Sequence, residues 1–163
     1  MMIRNARLDD LQAIVEIEQE NFSDMAASLE TMKERILTIP DTFLVAEIDG
    51  AVAGYIEGPV VPKRYLTDDL FHQVEKNPVS GGFIAVTSLS VSPRFQGQGV
   101  GTALLATMKD LAIAQKRLGI SLTCQENLIS YYEMNGFLDE GESESQHGGT
   151  VWYNMVWESS MIG

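Results

Sequence analysis

A single cysteine, Cys124, occurs in 163 residues. A lone thiol makes no intrachain disulfide and no cysteine-built zinc site, and it suits a reducing, cytoplasmic setting. Proline is scarce at 5 residues, and the 14 glycines follow no period, which excludes collagen-like and low-complexity chains. No apolar run approaches the roughly 20 residues that cross a bilayer, and no apolar stretch follows the start Met1-Met2-Ile3-Arg4-Asn5-Ala6-Arg7 as a signal peptide requires. Basic residues are few: 11 Lys+Arg face 23 Asp+Glu, a formal net charge of −12. Such a chain repels a phosphate backbone, so nucleic acid and membrane are not expected partners, whereas a cationic small molecule is. Apolar residues are abundant at 45% of the chain. A chain of this size buries about 70% of its unfolded surface. One soluble domain over residues 1–163 is the expectation.

Apolar spacing sketches the elements. Ile3 to Ala6 is a short strand, and Asp9-Asp10 opens a helix carrying Leu11, Ile14, Val15, Ile17 and Phe22 at helical intervals. Ser28-Leu29-Glu30-Thr31 opens a second helix that Pro40 stops. Strands at Phe43 to Ile48 and Ala51 to Glu57 flank Asp49-Gly50, the tightest hairpin signal in the chain. Residues 59–82, punctuated by Pro59, Pro62, Pro78 and Gly81-Gly82, form a connection long enough to be either functional or disordered. Phe83 to Val91 reads as one strong strand ended by Pro93. A long helix from about Gly99 presents Leu104, Leu105, Met108, Leu111 and Ala112 on one face. Ile120 to Thr123, a short helix closed by Gly136, and strands at Phe137 to Asp139 and Val151 to Trp157 complete the chain. The order β-α-α-β-β-β-α-β-α-β-β describes a mixed α/β sheet.

Chemistry concentrates where a strand stops, glycines alternate and a helix starts: Gln96-Gly97-Gln98-Gly99-Val100-Gly101-Thr102. Glycines there let several amides converge, and the helix start adds unpaired donors and partial positive charge, so a phosphate can be held without a basic side chain. A nucleoside-triphosphate loop needs Lys before the Ser/Thr, and here Val100-Gly101 precedes Thr102. A dinucleotide fingerprint needs G-x-G-x-x-G beside the first strand, and this pattern follows the fourth.

These residues resemble the GNAT family of N-acetyltransferases. Its acetyl-CoA signature, Gln/Arg-x-x-Gly-x-Gly/Ala, is met by Gln96 to Gly101, and its later Tyr-x-x-x-Gly-Phe element by Tyr132 to Phe137. Cys124 to Tyr132 is similar to the arylalkylamine N-acetyltransferase branch. The resemblance implies an α/β fold with a mixed, mostly antiparallel, twisted sheet of about seven strands. That sheet is splayed between its fourth and fifth strands and flanked by about four helices. It further implies acetyl-CoA as cosubstrate and no metal. The pantetheine would pair with Leu89 and Val91, the pyrophosphate would take the amides from Gln96 to Thr102, and the amide near Leu89 or Ser90 would polarise the thioester carbonyl. Tyr132 falls at the thiolate acid, and Gln125 where much of the family has an Asn on the pantetheine.

The arylalkylamine branch relays protons through two histidines, and the matching residues here are Ala85 and Thr87. Glu57 is the carboxylate candidate for the base, with a solvated charge at a strand end as its plain alternative; water held near Ser88 is another route. His72 and His147 read as exposed loop histidines, and Cys124 as a small buried apolar group. Tyr65, Leu66 and Phe71 are candidates for an apolar acceptor wall, with Asp24, Asp68 or Asp69 to attract an ammonium. The expected activity is acetyl transfer to a small primary amine. The alternatives are a protein lysine or N-terminus as acceptor, or a CoA-binding module without turnover. Trp152 and Trp157 suit either a homodimer contact or alternating core positions.

Overall fold

The computed structural model describes residues 1–145 and 147–159, with His147 by its backbone alone. Strand β1 (Met2–Asn5) leads into helices α1 (Leu11–Phe22) and α2 (Leu29–Thr38). Ser28 caps α2 by accepting the Thr31 amide at 3.2 Å. β2 (Phe43–Ile48) and β3 (Ala51–Glu57) form the expected hairpin, with Asp49 at φ 50° and Gly50 at φ 80°. β4 (Val60–Val61), β5 (Phe83–Ala85) and β6 (Ser88–Val91) follow, then α3 (Val100–Ala114), β7 (Gly119–Cys124) and α4 (Ile129–Met134). β8 (Leu138–Glu142) and β9 (Tyr153–Glu158) end the described chain. Among the described residues no helix is long and apolar enough to cross a membrane.

One sheet has the order β1-β2-β3-β6 and the other β4-β5-β7-β9-β8; every pairing is antiparallel except β5 with β7. β2 is buried on both faces. Phe43 and Val45 pack with Ile14, Ile17, Met32 and Ile36 beneath α1 and α2. Leu44 and Ala46 join Leu104, Leu105 and Met108 of α3 on the opposite side. The expected α3 face is therefore the one that is buried. Trp157 lies in this second core, which accounts for it without a second copy of the chain.

The strand expected to run unbroken from Phe83 to Val91 is divided into β5 and β6, and the division faces the junction of β3 with β4, a strand that was not expected in the connection 59–82. At Gly58 the backbones approach so closely that a Cβ would lie 1.9 Å from the Ala85 carbonyl oxygen. On the partner strand, the Glu57 carbonyl accepts the Thr87 amide at 3.0 Å while Ser88 is the ladder partner of Glu57. Two residues thus oppose one, a β-bulge. Upstream of it β5 runs beside β7, and the Val86 amide reaches the Ser121 carbonyl at 2.8 Å. Downstream β6 leaves with β3, while the rest of β7 stays with β9. A V opens between β6 and the end of β7, the splay expected between the fourth and fifth strands.

The long connection is pinned near its start and at its middle by two arginines. Arg64 donates to Glu140 at 2.7 and 2.6 Å and to Glu158 at 2.8 Å. Arg35 of α2 donates to the carbonyls of Leu70 at 3.2 Å and Phe71 at 3.1 Å.

Candidate active site

After β6 the chain makes a 3-10 turn at Pro93–Phe95, and Gly97 (φ 79°) and Gly99 (φ 78°) bracket Gln98 before α3 starts. Nothing lies within 4 Å of where a Cβ would stand on either glycine. They are glycine for their left-handed backbone, not for want of room. The first intrahelical bond of α3 is donated by Ala103 to Gly99, at 3.0 Å. Among the described residues, none of the amides of residues 96–102 has a hydrogen-bond acceptor. Gln96, Gly97, Gln98 and Gly99 are also exposed. A run of orphan donors at the start of a 15-residue helix is a cradle for an anion. Gly101 is tight for a different reason: the Tyr131 hydroxyl lies 2.6 Å from where its Cβ would be, and 3.5 Å from Thr102 Oγ1.

The strand before the cradle presents an open edge to the V. Ser92 donates to the Ala53 carbonyl at 2.8 Å, and Ser90 is the ladder partner of Tyr55, so these residues turn their amides toward β3. By alternation Leu89 and Val91 turn theirs the other way. This corrects one expectation: of the two amides considered for the thioester carbonyl, that of Ser90 faces β3 and that of Leu89 faces the V. The Val91 carbonyl already accepts Asn21 Nδ2 at 2.9 Å.

A cleft of about 530 Å³ fills the V below α1 and α2. Leu89, Gln125, Cys124 and Tyr132 line it on the strand side. Tyr132 is buried, edge-on to Tyr131 (centroids 5.2 Å) and Phe137 (5.8 Å). Burial, with lesser contributions from Cys124 and Tyr131, pushes its phenol above the ordinary value, so it holds its proton at neutral pH. Burial, then Asp139, pushes the Cys124 thiol up to about 11, which leaves it a neutral wall residue and no nucleophile.

Glu57, the expected base candidate, does not line the cleft. It is fully buried, pairs with Arg35 at 2.7 Å and accepts Thr87 Oγ1 at 2.7 Å. Arg35 and Thr87 line the cleft and Glu57 does not. It is neither the solvated strand-end charge nor a group that reaches an acceptor, because its partners stand in front of it. Burial raises its carboxyl pKa, while Arg35 and Thr87 pull it down.

The carboxylate that does reach the cleft is Glu18, which sequence reasoning missed. It is 3% exposed and lies on α1. Its Oε2 accepts the Ala27 amide at 2.9 Å, and its Oε1 accepts Ser88 Oγ at 3.1 Å and the Tyr55 hydroxyl. One turn on, Asn21 reaches Ser90 Oγ at 2.5 Å. A signal was present: Ile14, Ile17, Glu18 and Asn21 stand at i, i+3, i+4 and i+7, so the apolar stripe of α1 runs on in polar residues.

Of the expected acceptor wall, Phe71 is on the cleft, while Tyr65 and Leu66 are not. Tyr65 instead donates to Glu140 at 2.7 Å, and Leu66 is buried. Asp24, Asp68 and Asp69 are also off the wall; Asp68 accepts Ser145 Oγ at 2.5 Å and Asp69 accepts the Thr67 hydroxyl. His72 is exposed as expected and also lines the cleft, and the His147 side chain lies outside the described residues.

Residues 9–137 match the profile of the acetyltransferase (GNAT) family. An uncharacterized N-acetyltransferase of Methanocaldococcus jannaschii is 33% identical over 110 residues, covering 68% of this chain. The match takes in 58% of that protein, so the chain spans less than two thirds of this relative's length. A GNAT-like decarboxylase solved with isobutyryl-CoA superposes with a TM-score of 0.78 at 15% identity, over 98% of this chain and all of that one (100%). A ribosomal-protein-alanine N-acetyltransferase of Brucella melitensis superposes with a TM-score of 0.69 at 22% identity, over 97% and 99% of the two chains. The two structures speak for the fold, and their different names show that this fold alone does not fix a reaction. By its matched residues, the chain belongs to the GNAT family of acetyltransferases.

Proposed function

We propose that the protein transfers the acetyl group of acetyl-CoA to the primary amine of a small molecule. The observation that carries this reading is the sequence of features along one path. Orphan amides over residues 96–102 stand at the end of a strand edge that leads to a buried phenol in a cleft. In this reading the cradle takes the pyrophosphate, and the main-chain groups of Leu89 and the amide of Val91 pair with the pantetheine, the Val91 carbonyl being held by Asn21. Gln125 supports the same arm, and the Leu89 amide polarises the thioester carbonyl. Tyr132 gives its proton to the departing thiolate. The burial that holds a proton on Tyr132 also raises the proton affinity of a thiolate brought against it, which keeps the transfer balanced.

A small acceptor is favoured over a protein chain by the connection between β4 and β5. Its Phe71 and His72 form part of the wall, Arg35 holds the carbonyls of Leu70 and Phe71, and the volume falls within the range of small-ligand sites. The test is CoA release across small primary amines and free-N-terminus peptides, alongside calorimetric titration with acetyl-CoA. The expected result is micromolar-range binding with turnover of small amines. Peptide turnover tenfold above any small amine would overturn the acceptor class. Binding without any CoA release would overturn transfer.

A further inference from the structure

The cleft carries two charged side chains that belong to opposite cases. Arg35 is matched: its partner Glu57 stands 2.7 Å away, both nearly inaccessible. Glu18 is not matched, since among the described residues it forms no ion pair with any Lys or Arg. It is held by neutral donors only, the Ala27 amide and the hydroxyls of Ser88 and Tyr55. Burial, and after it Glu18 itself, pushes the Tyr55 phenol up, so it remains a donor. Arg35 is thus taken up by Glu57, and among the described residues Glu18 has no cation beside it in the cleft.

A buried carboxylate without a cation is costly unless hydrogen bonds or a counter-charge compensate it. Two carboxylate oxygens offer about four acceptor positions, and the three donors leave one open. Phe22, Met25, Phe71, Leu128 and Trp152 give the same space apolar surface, interspersed with polar side chains such as Asn21, Thr31 and Asn127. We infer that Glu18 receives the ammonium group of the acceptor, and that the acceptor class is a cationic amine carried on an apolar body. At pH 7 an aliphatic amine with pKa near 10 is protonated about a thousandfold over its free base, so this site meets nearly all of the acceptor present. Asp24, Asp68 and Asp69 do not line the wall and give the cleft no such charge.

The inference rests on the acetyl-transfer reading for the word acceptor, but binding tests it without turnover. Two pairs of equal shape serve as probes with CoA present: n-hexylamine against 1-hexanol, and 2-phenylethylamine against 2-phenylethanol. Wild-type protein is expected to bind each ammonium at least tenfold tighter than its alcohol, and Glu18→Gln to reduce that ratio below threefold while its CoA affinity stays within threefold of wild type. Should Glu18→Gln not fold, Ser88→Ala, which keeps the carboxylate, is expected to retain the tenfold preference. Absence of any charge preference in the wild type would overturn the inference. So would a preference that survives in folded Glu18→Gln, or one lost in folded Ser88→Ala. The two readings fail separately: charge preference without CoA release sinks the transfer alone, and CoA release without charge preference sinks the ammonium site alone.

Discussion

Tyr132 and Glu57 are both buried groups whose pKa is raised, yet only one faces the cleft. Exposure to the reaction space, not the size of a shift, separates them. Tyr132→Phe removes the acid but keeps the ring against Tyr131 and Phe137, so the fold and the cosubstrate site are left intact. The expected outcome is a kcat lower by about a hundredfold or more, the usual range for positioned proton transfer, with acetyl-CoA affinity within threefold of wild type. Steady-state kinetics and calorimetry read both quantities; a kcat within twofold would remove Tyr132 from its assigned role. Tyr132 was legible because it stands at a fixed offset from Gly136-Phe137. Glu57 was misjudged because its counter-ion, Arg35, lies 22 positions away on a helix, where only the folded chain brings them together. Glu18 went unnoticed because a helical glutamate is ordinarily on the wet side.

At the scale of elements, the cradle is a backbone device and should respond to backbone changes. Gly99 holds φ 78° with open space around it, so Gly99→Ala tests conformation without a clash. An alanine forced into that region costs about 1–2 kcal/mol. Acetyl-CoA affinity is expected to fall roughly tenfold as the loop relaxes, since about 1.4 kcal/mol is one decade. Calorimetric titration of the variant checks this, and unchanged affinity would mean that the amides of this turn do not hold the pyrophosphate. Helices and the hairpin were readable from the sequence because periodicity and turn chemistry act locally. The division between β5 and β6 was not, because alternation looks the same on either side of a bulge, and β4 was missed because its two residues fall among the prolines of the connection. Only the approach of Gly58 to Ala85 reveals that division.

For the whole molecule, paired carboxylates set the response to acid. Burial acts to raise the Asp10 carboxyl, but the Arg4 guanidinium at 2.8 Å and the Arg7 amide at 2.8 Å hold it below its ordinary value. Arg64 holds Glu140 below its ordinary value in the same way. A group depressed on folding contributes stability above its unfolded pKa, and that contribution is lost as pH falls through the folded value. Glu57 is raised, so its contribution is complete below its unfolded pKa and declines as pH rises through the folded value. Net acid sensitivity should therefore begin below about pH 4, the unfolded carboxylate range. Asp10→Asn should melt below wild type at pH 7, and the gap between the two Tm values should close as the pH drops under about 4. Thermal unfolding across that range measures it, and a gap independent of pH would show that Arg4 and Asp10 do not act as a charge pair.

The bulge at Thr87 and Ser88 also sets where the chain is free to vary in length. Because a pleat alternates with every residue, inserting or deleting one position between Val86 and Leu89 would exchange the amides turned toward β3 with those turned toward the ligand groove. The exposed turn at residues 67–69, between Leu66, which is buried, and Leu70, carries no such phase, so it can gain or lose residues while the two arginine anchors hold. Indels are therefore to be sought in that turn and not at the strand junction, a contrast in evolutionary tolerance set by the parity of a single strand.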